Sequence, residues 1–441
     1  MPAIHALSSL APLPQFDLFS VPATQTTIER NYSTEHRPIN VLDANSWIEF
    51  VVPTSVDEYV NLSETYLMLR VRLDLGKANA ATADWVKIAP VQNLLHSISE
   101  QVDFVIGDRQ VTGSHQTYAY KSYFDTLFNY DKWSKSTFLS AQGWVDDKLS
   151  NLVAVSEERA KIFIPDPKGQ QAQGNSVTLM GKINLDFAQQ MKPLLGGSTL
   201  RIRFTPNKQD FYLHSAAKDL KPKFHFLDSC LYVNKYKVSS DVVQAHAAAL
   251  SKGPARYPIT RTEVKKFTVN ANVLDAMIDN AITGQMPRRL FLAIVDNKGM
   301  NGDLEAYPFL FDNNKVNHLA CYFNGEQYPM KPYQPNFGGS NSTREYLGLF
   351  RTLNQYHSHP NIKITPTEFN NGGFTIFGID LSADGNDGCG AGGHVDPLKY
   401  GSLRIELKFA EALPKTVNVL LYCEFDNIIQ VGADRNPIEF I

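Results

Sequence analysis

Cysteine is scarce: four residues in 441, none of them in a C-x-x-C pair. That spacing excludes a zinc ribbon. Cys230, Cys321 and Cys423 lie inside apolar, strand-like runs, where they read as buried free thiols in a reducing compartment. Long hydrophobic runs are missing too. No stretch is apolar for long enough to span a membrane, so no transmembrane segment is expected. Met1 to Gln15 is rich in Ala, Pro, Leu and Ser and has no basic start ahead of a long apolar core, so it does not read as a signal peptide. Charge of one sign is also absent in excess. The formal net charge is -3, which leaves no surplus of Lys and Arg to match a phosphate backbone. The stretch from Lys208 to Lys266 is locally basic and reads as a solvated face, not as a specific nucleic-acid site.

What is present is ordinary globular sequence with a lean towards β structure. Hydrophobic residues make up 43% and charged residues 20%, which excludes a disordered chain. Aromatics reach 11%, and such side chains pack well on a pleated surface. A single core rarely grows beyond about 250–300 residues, so 441 residues predict two domains. Leu69 to Leu75, Leu200 to Phe204 and Leu403 to Phe409 alternate apolar and polar with period two, and each reads as a half-buried strand. One helix stands out. Ser239-Ser240-Asp241 offers an N-cap, Val242 to Leu250 is rich in Ala, and Gly253-Pro254 supplies a stop. It falls a little past the middle of the chain.

The sequence on its two sides is similar in order. Ile48 to Pro53 is matched with Lys266 to Asn270, Tyr66 to Val71 with Arg289 to Val295, and Phe104 to Gln110 with Tyr322 to Gln327. Tyr123 to Phe128 is matched with Tyr346 to Phe350, and Gly181 to Asp186 with Gly378 to Leu381. Gly197 to Ile202 is matched with Gly401 to Ile405, and Cys230 to Val233 with Leu421 to Phe425. Seven collinear matches predict a duplicated all-β domain, each copy with its own core. The expected organisation is an N-terminal arm over 1–40, a first domain over 41–238, a linker helix over 239–255 and a second domain over 256–441. About six strands per half are legible, so the pattern alone leaves the topology of each half open.

Enzyme chemistry is hard to place on this chain. His357, His359, Cys389 and His394 have the side chains of a zinc site, but their spacing is not diagnostic and they read as surface loop residues. No metal or cofactor is expected. A cupin site needs a Glu four or five residues after a His-x-His pair, and Glu368 lies nine past His359. The run Gly385 to Gly393 lacks the Gly-Lys-Ser/Thr ending of a phosphate loop, and Gly338-Gly-Ser-Asn-Ser342 is not a nucleophile elbow. No catalytic constellation emerges.

Several longer motifs carry a family resemblance. They are Phe16 to Thr26, Ala245 to Leu250 followed by Lys252 to Ile259, and Gly284 to Arg289 with Val295-Asp-Asn297. Lys331 to Phe337, Gly401 to Pro414, Thr416 to Val419 and Glu424 to Asn427 continue it. In these the chain resembles the major capsid proteins of Polinton (Maverick) elements and adintoviruses, from about Phe16 to Asn427. The resemblance implies a double jelly roll: two eight-stranded antiparallel β-sandwiches in tandem, joined by a short linker helix. It implies a structural role without enzymatic activity, in a homotrimer whose pseudo-hexameric outline tiles an icosahedral shell around DNA. It further implies penton and minor capsid proteins, a maturation protease and a packaging ATPase as companions, and residence in a virion assembled inside the host cell. The alternatives are a jelly-roll binding module, such as a lectin or receptor binder, and a domesticated transposon capsid. The segment His357 to His394 departs from the family motifs.

Overall fold

The computed structural model describes residues 14–77, 81–113, 116–145, 154–165, 173–217, 220–339, 341–356, 361–385, 387–388 and 393–439. Period-two alternation becomes strand wherever the sequence shows it. Leu200, Ile202 and Phe204 point inward while Arg201 and Arg203 point out. Leu403, Ile405, Leu407 and Phe409 do the same in the second half.

The first half carries β1 (Ile28–His36), β2 (Ile48–Val52), β3 (Glu58–Asp74), β4 (Ile88–Pro90), β5 (Ser99–Ile106), β6 (Arg109–Gln110), β7 (Gln173–Lys182), β8 (Leu200–Pro206), β9 (Leu213–Ser215) and β10 (Lys223–Val238). The second carries β11 (Ala255–Val269), β12 (Asp275–Gln285), β13 (Arg289–Asp296), β14 (Val316–Phe323), β15 (Glu326–Tyr333), β16 (Ile376–Asp380), β17 (Tyr400–Phe409), β18 (Val417–Val431) and β19 (Pro437–Glu439). Sheet order is β1-β10-β3-β7 and β2-β8-β5-β6 in one half, β11-β18-β13-β16 and β12-β17-β14-β15 in the other. With the small β4-β9 ladder and the tail strand β19 set aside, each half uses eight strands. In each, the first, eighth, third and sixth share one sheet, and the second, seventh, fourth and fifth share the other. That is jelly-roll connectivity, twice. The fold is an all-β double jelly roll, and the helix Ser240–Leu250 lies between β10 and β11 with Ser239 at its N-cap.

The internal matches of the sequence mostly fall on equivalent strands. Tyr66 to Val71 and Arg289 to Val295 lie in the third strands, β3 and β13, and Cys230 to Val233 and Leu421 to Phe425 in the eighth, β10 and β18. Two matches read differently. Ile48 to Val52 is a second strand, β2, whereas Lys266 to Val269 is the end of a first strand, β11. Tyr123 to Phe128 and Tyr346 to Phe350 are equivalent in position but helical, within Tyr118–Asn129 and Thr343–Thr352.

Within the segment 1–40 the chain already joins a sheet. Residues 28–36 form β1, paired antiparallel to β10 from Ile28↔Val238 to His36↔Leu231. This edge strand is mostly exposed, so hydrogen bonds to β10 hold it and no apolar alternation marks it. Ahead of it, Phe16, Leu18, Phe19 and Val21 are all exposed.

Deletion of residues 1–26 is expected to leave the β content and melting temperature near those of the full chain. Deletion of 1–40 strips β1, bares the edge of β10 and promotes aggregation. Circular dichroism melts with light scattering check both.

Candidate functional site

The two rolls meet along an extensive seam. At its centre is the helix Tyr118–Asn129, which leaves the first roll between β6 and β7. Ten of its twelve residues are buried, from Tyr118 to Phe128 with Lys121 as the exception. A helix buried on nearly every face needs protein on every side, and the second roll supplies it. The Tyr123 ring stacks on Phe309 with centroids 4.4 Å apart and planes 6° from parallel. Phe124 packs on Phe311 at 5.3 Å, and Phe128 meets Phe291 at 4.6 Å. Such pairs contribute about 0.5–1.5 kcal/mol each beyond the area they bury. The second roll's sheet is thereby covered on both faces, and β13 is buried from Arg289 to Val295 without alternation.

A charged network borders this aromatic layer. Lys121 Nζ lies 2.7 Å from Asp125 Oδ2 and 2.9 Å from Asp186 Oδ1. Tyr422 of β18 donates its hydroxyl to Asp125 Oδ1 at 2.6 Å. Asp186 accepts from the Thr262 backbone N–H at 3.0 Å and from its hydroxyl at 2.6 Å, reaching β11. Arg288 and Glu424 pair at 2.9 Å, and Arg289 pairs with Asp387. Burial pushes the carboxyls of Asp125 and Glu424 up, against the pull of Lys121 on the first and of Arg289 and Arg288 on the second. Burial also works against the charge on Lys121, but Asp125 and Asp186 outweigh it and hold the ammonium above the usual lysine range. All three shifts run towards proton retention: burial drives those of the two carboxyls, and the two carboxylates beside Lys121 drive its own.

Two further contacts clasp the rolls. The connection from β13 to β14 brings Tyr307 into the first roll. There the Tyr307 hydroxyl accepts from the Gln92 N–H at 3.3 Å, and the buried Arg159 guanidinium stands 4.5 Å from the ring centre. Ser215 N–H donates to Leu304 O at 2.7 Å. At another point the C-terminal segment crosses back: Ser198 Oγ donates to Arg435 O at 3.0 Å, and Asp108 N–H to Asn436 Oδ1 at 3.3 Å. Two clefts of about 470 and 620 Å³ open along the seam, the first beside Arg109 and Glu263, the second beside Arg288 and Asp387. Their linings mix both signs of charge.

Of the residues singled out in the sequence, His357, His359 and Cys389 lie outside the described residues. His394 is described, and its Nε2 lies 2.7 Å from Asp384 Oδ2 and 4.0 Å from Asp396 Oδ1. Neither carboxylate stands in a recognisable metal-binding motif with His394 in the sequence. Glu368, tested against a cupin site, serves the backbone instead: its carboxylate accepts from Thr365 N–H at 2.7 Å and its own N–H donates to Thr365 Oγ1 at 3.3 Å, a capping box. The seam itself was not legible, because its members are far apart in sequence. Tyr422 and Asp125 are separated by 297 positions.

The class that this fold defines is the double jelly roll. In fold the chain is similar to a chain of the Sputnik virophage cryo-EM structure, with a TM-score of 0.68 at 12% identity, covering 100% of this chain and 94% of that one. It is similar to the Faustovirus major capsid protein, with a TM-score of 0.62 at 9% identity over 93% and 92% of the two chains. For the mavirus major capsid protein the TM-score is 0.58 at 8% identity, over 100% and 97%. In sequence, the Caenorhabditis elegans protein named "Uncharacterized protein F54H12.2" is 26% identical over 432 residues, 95% of this chain and 99% of that protein. No protein-family model matches the chain.

The Lys121→Met variant leaves the buried Asp125 and the half-buried Asp186 without their cation, and is expected to lose about 3–5 kcal/mol in urea denaturation. Adding Asp125→Leu removes one of the stranded charges and restores part of the loss.

Two buried histidines give the folded state an acid limit. Burial holds His96 at about 3, with the Lys121 charge adding to it, and His214 at about 4, with Arg159 adding. Below the ordinary value near 6.5 the unfolded chain takes up a proton that the folded chain refuses. Stability therefore falls as pH falls, by about 1.4 kcal/mol per unit per histidine. The raised carboxyls of Asp125 and Glu424 act in the opposite sense, so a comparison of variants is needed. Urea midpoints between pH 6.5 and 4 should fall less steeply for His214→Gln than for the wild type.

Proposed function

We propose that the chain is a viral-type major capsid protein, a structural protein without enzymatic activity. The observation that carries this reading is the tandem of two jelly rolls with identical strand order, matched over nearly the full length of capsid proteins from Faustovirus and mavirus. The division proposed is an arm, a first roll, the linker helix over 239–255 and a second roll. The motifs from Phe16 to Asn427 favour an origin in Polinton elements or adintoviruses.

The biological unit on this reading is a homotrimer. Three-fold symmetry acting on a two-roll subunit places six similar sandwiches around one axis, an outline that packs with six neighbours. The seam supports this use. A capsomer of six rolls keeps its outline only while the two rolls of each subunit hold one mutual orientation, and the aromatic layer, the charged network and the C-terminal crossing all oppose their rotation. The exposed Phe16, Leu18, Phe19 and Val21 suit an arm that packs on a neighbouring subunit, since four large apolar side chains in six positions gain by burial. Penton and minor capsid proteins complete the shell on this reading, and the protein resides in the virion capsid.

Light scattering on a sizing column tests the proposal. A trimer has a mass of about 148 kDa, three times the 49.4 kDa of the chain. That mass, with hexagonal outlines in negative stain, is the expected result. A stable monomer at micromolar concentration overturns it and favours a binding module.

A further inference from the structure

Between β16 and β17 the chain makes a long, glycine-rich excursion. From Ser382 to His394 there is no large aliphatic or aromatic side chain, and Gly385, Gly388, Gly390, Gly392 and Gly393 fall within it. Glycine-rich chain loses much conformational entropy when it is ordered. Part of this loop is nonetheless placed on the seam. Asp387 pairs with Arg289 and accepts from Asn354 Nδ2 at 3.1 Å. Gly388, at φ +78°, lies so close over Arg288 and Asp426 that a Cβ there would stand 2.5 Å from Asp426 Oδ1.

The neck brings together Asp384 on the outgoing side and His394 and Asp396 on the returning side. One ligand atom from each lies within 4.8 Å of the other two. Asp396 is oriented by the backbone, since its Oδ2 accepts from Ala383 N–H at 3.2 Å, which leaves Oδ1 towards His394. One carboxylate suffices to pair with an imidazolium. Two carboxylates beside one imidazole supply three donor atoms of the kinds that a divalent cation takes.

We infer that Asp384, His394 and Asp396 form a divalent-cation site that clips the neck of this loop, with zinc as the class of ion that one imidazole and two carboxylates suit. Ligands about 2.0–2.1 Å from a tetrahedral zinc stand about 3.3 Å apart. The present separations from His394 Nε2, 2.7 and 4.0 Å, bracket that value, and the Asp384 and Asp396 ligand atoms lie within 4.8 Å of each other. Water takes the remaining position. With the neck clipped, the Asp387–Arg289 pair is held more firmly in place. The inference is independent of the capsid reading.

The test is calorimetric titration of ZnCl2 into the full-length protein after dialysis against EDTA, with His394→Gln and Asp396→Asn measured in parallel. Both positions are on a surface loop, and circular dichroism verifies that the variants fold. The expected result is one zinc per chain at micromolar affinity or tighter, weakened at least tenfold in each variant, with a zinc-dependent rise in melting temperature for the wild type alone. Absence of binding at 100-fold excess, or equal affinity in both variants and the wild type, overturns the site and leaves His394 as a simple ion pair.

Discussion

Everything in this molecule depends on the burial of one helix that neither roll can bury alone. Tyr118–Asn129 belongs by connection to the first roll, but Tyr123, Phe124 and Phe128 find their stacking partners at Phe309, Phe311, Phe291 and Tyr422 of the second. A roll separated from its partner would expose aromatic surface on both sides. The cost of that exposure, about 25 cal/mol for each Å² of apolar area, joins two domains into one body.

The aromatic layer and the charged network contribute differently. Stacked rings are non-directional enough to tolerate some sliding. The set formed by Lys121, Asp125, Asp186, Thr262 and Tyr422 is not, because each hydrogen bond has a short range of distance and angle. Buried ion pairs add little net stability over well-packed apolar groups, since desolvation offsets most of the attraction. Their effect here is on register: a rotation of one roll against the other pulls paired charges and their hydrogen bonds apart. The apolar contacts thus supply the energy of association, and the polar ones choose a single orientation.

The same division explains which parts of the fold were readable. Leu200 to Phe204 and Leu403 to Phe409 alternate because one face of each strand meets a core and the other meets water. β13 and β18 gave runs of apolar residues instead, since the seam covers their second face. β1 escaped notice because an exposed edge strand needs only backbone pairing, and its residues carry no apolar period. The match between Ile48 to Val52 and Lys266 to Val269 slipped by one strand for a related reason. Short apolar runs in β2 and β11 look alike, and only pairing partners tell them apart: β2 lies on β8, β11 on β18.

At the candidate metal site the histidine was visible and its carboxylates were not. Asp384 and Asp396 stand ten residues before and two after His394, in a loop with no periodicity to relate them. By itself the sequence determined the all-β class, the duplication, the linker helix Ser240–Leu250 and most of the core strands. These follow from the period of hydrophobicity and from cap and stop residues, which act over a few positions. Strand order within each roll, the fusion of the rolls through Tyr118–Asn129, and the meeting of Asp125 with Tyr422 were decided only by the tertiary structure. Those are contacts between distant positions, chosen by how two finished surfaces fit, and no local pattern encodes them.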